Sequence, residues 1–156
     1  MPNIKHATFN KSESLTKILI SAKRKIEALG LTQDDLEGGK FRSRLVKSLV
    51  SEIKHPEFLL VDKDTALVVQ VSSPGGAYSK FLEILLAFNN GEIKQCIFVT
   101  QTYNLAVRRN QIKNPDSTRD GHRIYFSKAK STIAKYTDSF LSIPIGILGV
   151  DISETR

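Results

Sequence analysis

Cysteine and tryptophan are scarce in this sequence of 156 residues, which has a single cysteine, Cys96, and no tryptophan. A lone cysteine cannot form an internal disulfide, which excludes a secreted scaffold held together by cross-links. The longest apolar stretches, FLEILLAF and FLSIPIGILGV, are too short to span a membrane, and the first residues lack the apolar region of a signal peptide. We therefore expect one cytoplasmic domain over residues 1–156, with Cys96 as a reduced thiol in its core.

Acidic residues are outnumbered, at 16 against 23 lysines and arginines, and the formal net charge is +7. Residues 1–55 hold 11 basic and 6 acidic side chains, residues 56–100 hold 3 and 5, and residues 101–135 hold 8 and 2. Two basic regions thus flank an acidic centre. This pattern favours a polyanionic partner, because each phosphate neutralised by Lys or Arg releases bound counterions. A basic surface kept for solubility is the alternative.

The spacing of apolar residues predicts an α/β domain with a central mixed sheet flanked by helices. A first helix begins at the cap Ser12 and runs to about Leu29, and a second begins at Thr32, is interrupted at Gly38-Gly39 and resumes over 40–55. The remaining predicted elements are a hairpin over 58–73, an apolar helix over 79–90, a buried strand over 96–102, a polar loop over 103–124, a helix over 127–140 and a last strand over 143–152.

The chemically informative residues lie in the middle third of the chain. A helix with an acidic residue precedes a strand that ends in Asp. After a tight turn comes an apolar strand with two polar residues that are separated by one other residue. A helix and a buried strand follow. This order resembles the core of the PD-(D/E)XK, or restriction-endonuclease-like, nuclease superfamily over about residues 40–100. The residues that carry the resemblance are Glu52, Asp62, Gln70 and Ser72, with Lys80 and Glu83 after them.

The resemblance implies a Mg²⁺ or Mn²⁺ ion held by two carboxylates beside a lysine that orients the attacking water. Such an ion lowers the pKa of bound water and offsets charge on the phosphate. Asp62 matches the first carboxylate. The sequence departs from the pattern at the next two positions, because Gln70 stands in place of the second acid and Ser72 in place of the lysine.

Lys80 and Glu83 are three residues apart on an otherwise apolar helix, so they share one helical face and suit these missing roles. We hypothesise that Asp62 and Glu83 bind one divalent cation with help from the Val71 carbonyl. In this hypothesis Lys80 lies near the water, and Glu52 adds an outer carboxylate. The alternative is an ordinary surface pair of Lys80 with Glu83, and Asp62 as a plain turn residue.

Residues 101–135 form the predicted nucleic-acid-binding region. The planar guanidinium of arginine can donate two hydrogen bonds at once to a phosphate or a base edge. The region also lacks an RNA-binding signature, so we expect contacts with double-stranded DNA. A solvated loop is the competing interpretation. The predicted contacts are Arg108, Arg109, Lys113, Arg119, His122, Arg123, Lys128 and Lys130.

Three functions remain open at this point. The first is a Mg²⁺-dependent DNA endonuclease, expected to be a homodimer because cutting both strands of a symmetric site requires two active sites. The second is a DNA-binding or structural protein that has the nuclease scaffold without its catalysis. The third is an interaction domain of an unrelated α/β fold.

Overall fold

The computed structural model describes residues 3–139 and 142–152, and within these ranges a five-stranded mixed sheet is flanked by six helices. The predicted fold class is confirmed. The strands are β1 (Asn3–Phe9), β2 (Leu59–Asp62), β3 (Thr65–Val69), β4 (Gln95–Gln101) and β5 (Ile145–Asp151). The helices are α1 (Glu13–Ala28), α2 (Gln33–Glu37), α3 (Phe41–Leu49), α4 (Pro74–Asn89), α5 (Tyr103–Gln111) and α6 (Phe126–Ser139).

The strand order is β1-β5-β4-β3-β2. Strands β3, β4 and β5 are parallel, whereas β1 and β2 pair antiparallel with β5 and β3. All three parallel strands therefore end on the same side of the sheet, which we call its carboxyl end, and begin at its amino end. Crossover helices link these strands, as parallel pairing requires.

Each face of the sheet is covered by a separate hydrophobic layer. On one face, Leu67 and Val69 of β3 pack with buried residues of α1, α3 and α5. On the other face, Ala66 and Val68 pack with buried residues of α4 and α6. Strand β3 is thus buried on both sides, as is usual for parallel strands inside a sheet. Burial raises the pKa of the Cys96 thiol to about 12, so it stays protonated in the core.

Several elements differ from the sequence-based predictions. Strand β1 was not predicted, and α5 occupies part of the segment predicted to be a polar loop. Helix α3 ends at Leu49, because its C-cap Val50 is extended and the Ser51 N–H donates to the Leu60 carbonyl. Helix α4 begins at Pro74, a residue favoured in the first helical turn, and not at 79. The predicted end of α6, at 140, lies outside the described residues.

The described helices include none that is both long and apolar enough to cross a membrane.

Gly149 sets the distance between helix α6 and strand β5. A Cβ atom at this position would lie 2.6 Å from the Cβ of Phe126, which starts the helix. Gly149→Ala is expected to lower the free energy of unfolding by about 2 kcal/mol, because the clash involves the rigid base of the Phe126 side chain. Urea denaturation measures the change. The control is Gly75→Ala, whose added Cβ meets nothing within 4 Å, and equal stability of the two variants would contradict the expectation.

Candidate nucleic-acid interface

The carboxyl end of the sheet gathers polar side chains that come from distant parts of the sequence. In open α/β sheets this is the end where ligands bind, because loops that leave the strands there form a crevice. Gln101 closes strand β4, and the segment at Ile124 crosses over it through hydrogen bonds to Ser72 and Gln101. The ends of β3 and β4 are thereby tied together.

Arg109 of helix α5 is the centre of this arrangement. Its Nη1 donates to the Val71 carbonyl at 2.7 Å and to Oε1 of Gln101 at 2.8 Å, while Nε2 of Gln101 donates to the same Val71 carbonyl at 2.9 Å. The guanidinium lies 5.3 Å from the ring centre of Phe41. Burial and then the charge of Arg123 lower the pKa of Arg109 to about 10, so it remains charged at neutral pH. No pattern in the sequence indicated that Gln101 belongs to this site.

Three further arginines lie at the carboxyl end of the sheet. Nε of Arg42 donates to the Val69 carbonyl at 3.1 Å, and Arg108 donates to the carbonyl of Ile152 just after β5. Arg123 precedes Ile124 in the crossing segment, and its charge reaches Arg109. We call Arg42, Arg108, Arg109 and Arg123 the cationic cluster.

No carboxylate lies within salt-bridge distance of any cluster member in the part of the chain that the structure describes. Asp151 lies at the same end of the sheet, but its Oδ1 accepts from the Ile152 N–H. The positive charge of the cluster is therefore not offset by paired acids, which favours a bound anion.

The other predicted basic contacts are spread more widely. Lys113, Arg119 and His122 are exposed in the loop after α5, while Lys128 and Lys130 are exposed on α6. His122 has a φ of 59°, a turn conformation that Asn, Asp and His adopt more readily than other side chains. The structure thus brings Arg108, Arg109 and Arg123 together and leaves these five residues outside the cluster.

A polar cavity of about 660 Å³ borders the cluster beside helix α5. Asn104, Arg108 and Gln111 of α5 line it, together with Asp151 from the end of β5. The spacing of these helical residues puts them on one side of α5. The cavity therefore extends the crevice at the carboxyl end with amide groups that can donate and accept hydrogen bonds.

Asp62 lies away from this crevice. It is directly opposite Thr65 at the hairpin turn, where its Oδ1 accepts from the Asp64 N–H at 2.8 Å. Gln70 follows five residues after Thr65, so the two ends of β3 are roughly 16 Å apart. The hairpin is confirmed, but its turn lies at the amino end of the sheet, and Asp62 and Gln70 are not brought together.

Asp62 and Glu83 also lie on different faces of the sheet. Side chains directly opposed in an antiparallel pair project to the same face, and Thr65 faces α1, since Gln95 donates to both Thr65 and Ser14 of that helix. Helix α4, which carries Glu83, covers the other face. The geometry therefore does not support one cation shared by Asp62 and Glu83.

The remaining predicted catalytic residues have other surroundings. Gln70 donates from Nε2 to the Ser73 carbonyl at 2.7 Å, and Ser72 is exposed. Glu52 is exposed in the loop after α3 rather than on that helix. The Val71 carbonyl accepts from both Gln101 and Arg109, so the geometry does not support the predicted help from this carbonyl.

Lys80 and Glu83 do pair, with Nζ 3.2 Å from Oε2 of Glu83. Lys80 also donates to the backbone carbonyl of Glu57. A cavity of about 300 Å³ lies here beside β3, lined by Arg42, Glu57, Gln70 and Lys80 among others. It exists because β2 pairs with β3 only as far as Leu67. Sequence reasoning did not single out Glu57.

These residues do not fit the divalent metal of a restriction-endonuclease-like centre. Strand β3, with the sequence TALVV, supplies no carboxylate. The cavity beside it is lined by the cationic groups of Lys80 and Arg42, which outnumber the Glu57 carboxylate there and repel a metal ion. Among the residues that can be described, no three His, Cys, Asp or Glu side chains are grouped as metal ligands.

No protein-family model matches this sequence. A comparison with curated proteins finds no match. Among solved structures, the chain is similar to restriction endonuclease BglII complexed with a DNA 16-mer, with a TM-score of 0.69 at 13% identity over 97% of this chain and 79% of that one. It is also similar to free BglII, with a TM-score of 0.58 at 17% identity over 98% and 80% of the two chains. The chain therefore has a restriction-endonuclease-like fold.

Proposed function

We propose that this protein binds double-stranded DNA at the carboxyl end of its sheet and does not itself cleave the strands. The observation that carries the proposal is the cationic cluster of four guanidinium groups without paired carboxylates. It lies where α/β sheets bind their ligands. The similar BglII structure was solved with a DNA 16-mer, which supports the same class of ligand here.

The way the arginines are held suits contact with phosphates. Arg42 uses only Nε for the Val69 carbonyl, and this bond leaves the donors of both terminal nitrogens for a ligand. A guanidinium fixed by one hydrogen bond loses less conformational freedom when it binds a second oxygen. Arginine–phosphate contacts of this kind position a duplex without reading its sequence.

The endonuclease hypothesis is less well supported, because Asp62 and Glu83 lie on different faces of the sheet and the cavity at β3 holds cations. The hypothesis of an unrelated α/β fold is excluded by the likeness to BglII. A homodimer stays a prediction. Its main reason was cleavage of both strands, so a protein that only binds has less need of it, and sedimentation equilibrium measures the oligomeric state.

Duplex binding is expected to weaken steeply as salt rises. If four phosphates are neutralised, the slope of log K against log salt concentration is about −3.6, which means a roughly 100-fold loss between 50 and 200 mM salt. Fluorescence anisotropy of a labelled duplex of mixed sequence measures this slope. Absence of binding, or binding that does not change with salt, would refute the proposed function.

Incubation with supercoiled plasmid and Mg²⁺ or Mn²⁺ tests cleavage directly. We expect the plasmid to stay supercoiled with the wild type and with Asp62→Ala, because β3 supplies no carboxylate and the described lining of the cavity beside it has Glu57 together with the cations Arg42 and Lys80. Nicking by the wild type that disappears in Asp62→Ala would restore the metal assignment at Asp62. Nicking by both proteins would mean that another site cleaves DNA, and would overturn the non-catalytic proposal.

A further inference from the structure

We propose that the ammonium group of Lys80 takes the place of a divalent cation in the cavity beside β3, so that the protein binds duplex DNA without any metal. The cation-binding part of this inference stands on the geometry of Lys80 alone. Its consequence for DNA rests on the proposed function.

The oxygen atoms around Lys80 are of the kind that bind hard cations. Nζ contacts the backbone carbonyl of Glu57 and lies 3.2 Å from the Glu83 carboxylate. Carbonyl and carboxylate oxygens are also the protein ligands of Mg²⁺ and Ca²⁺. Here one ammonium bridges them, and its three N–H donors suit such a set. The cavity thus already contains a positive charge where Gln70 and Glu57 line the wall.

The charges at the cavity explain why the single positive charge of Lys80 can replace a divalent ion when a DNA phosphate approaches. On the α4 side, β3 presents Ala66 and Val68, neither of which is acidic. Glu83 is neutralised by Lys80, and Arg42 adds a further positive charge at the cavity wall. The Glu57 carboxylate also lines the wall, so an approaching phosphate meets two cationic side chains and one carboxylate of the described lining. The cations outnumber the carboxylate, and no divalent ion is needed to remove a repulsion.

The Lys80–Glu83 pair has little to do with folding. The side chains are 52% and 37% exposed, and pairs as exposed as this contribute about 0–1 kcal/mol to stability. Variants at Lys80 should therefore fold normally. Any effect of the substitution on ion or DNA binding then reports on the cavity itself.

The experiment compares the wild type with Lys80→Ala, Lys80→Arg and a control, Lys94→Ala. The control removes a similar exposed pair, in which Lys94 lies 3.8 Å from Asp64, but at the amino end of the sheet. Isothermal titration with Mn²⁺ in the absence of DNA measures cation binding. Anisotropy with a labelled duplex, in EDTA and in Mg²⁺ at equal ionic strength, measures the metal dependence of DNA affinity.

We expect Lys80→Ala to acquire millimolar Mn²⁺ binding that the wild type, Lys80→Arg and Lys94→Ala lack. In EDTA, Lys80→Ala should bind the duplex about tenfold more weakly than the wild type, which corresponds to about 1.4 kcal/mol, and should recover part of this loss in Mg²⁺. The wild type and Lys80→Arg should bind equally in EDTA and Mg²⁺.

Mn²⁺ binding by the wild type, or its absence in Lys80→Ala, would overturn the inference about the cavity. A wild-type affinity that rises tenfold in Mg²⁺ would overturn metal-independent binding, as would equal losses in Lys80→Ala and Lys94→Ala. If the wild type binds no duplex at all, the proposed function fails, and the Mn²⁺ titration still decides whether Lys80 replaces a metal.

Discussion

Arg42→Glu combined with Arg123→Glu is expected to weaken duplex binding roughly 100-fold, because each substitution removes a phosphate contact and adds a repulsive charge worth tenfold or more. The slope of log K against log salt should become shallower by about 2, since each lost phosphate contact contributes about 0.9. Anisotropy at several salt concentrations measures both quantities. Arg42 is exposed and Arg123 is half-buried, so circular dichroism of the double variant establishes first that it folds.

The matched control reverses the same amount of charge at the other end of the sheet. Lys63 lies in the hairpin turn and Lys94 lies just before β4, and both are exposed. Lys63→Glu combined with Lys94→Glu should weaken binding much less, because only the overall charge changes. Equal losses in the two double variants would mean that binding follows net charge and not the cationic cluster.

Arg109→Met is expected to lower the free energy of unfolding by about 3 kcal/mol. The substitution leaves the buried Oε1 of Gln101 without its donor and removes the guanidinium from the Phe41 ring. An unpaired buried acceptor costs about 1–3 kcal/mol, and the lost cation–π contact adds about 1 kcal/mol. Urea denaturation followed by circular dichroism measures the change.

Arg109→Lys should rescue little of this stability, because an ammonium group cannot reproduce the planar fork that reaches both Val71 and Gln101. Arg42→Met is the control. Its exposed guanidinium makes one bond to the Val69 carbonyl, and its loss should change stability by less than about 1 kcal/mol. If Arg109→Met unfolds at the same urea concentration as Arg42→Met, the bridging role of Arg109 is wrong.

The elements with strong apolar periodicity could be predicted from the sequence. Helix α1 begins after the cap Ser12, and Leu15, Leu19 and Ile26 form its buried stripe as their spacing indicates. The hairpin and the buried strand β4 were predicted from their branched apolar residues. These signals are local, since each depends on the side chains within one element.

The two missed elements depend on distant contacts. Strand β1 has only Ile4 buried, and its pairing with β5 joins residues almost a chain length apart, such as Asn3 with Asp151. Helix α5 buries only Leu105 and Ala106, and its arginines made the segment look like a solvated loop. Tertiary packing, which no local pattern contains, stabilises both elements.

The structure separates Asp62 from Gln70, two residues of the predicted site, for a geometric reason. The hairpin turn lies where β3 begins, and Gln70 follows the residue at which β3 ends. Asp62, just before the turn, is therefore separated from Gln70 by the whole length of β3. The order of helices and strands around these residues indicated the fold correctly. Whether Asp62 and Gln70 could act together depended on the register of β2 against β3 and on which end of the sheet forms the crevice.

The short pairing between β2 and β3 affects how readily copies of this protein associate through the edge of the sheet. Where β2 stops opposite Leu67, Val68 and Val69 of β3 have no β2 residue paired with them, and an unpaired strand edge is a place that another chain's strand can join. Arg42 occupies this place by donating to the Val69 carbonyl. A bulky charged side chain fixed at an open strand edge discourages edge-to-edge association, so we expect Arg42 to protect the protein from aggregation in addition to its proposed contact with phosphate.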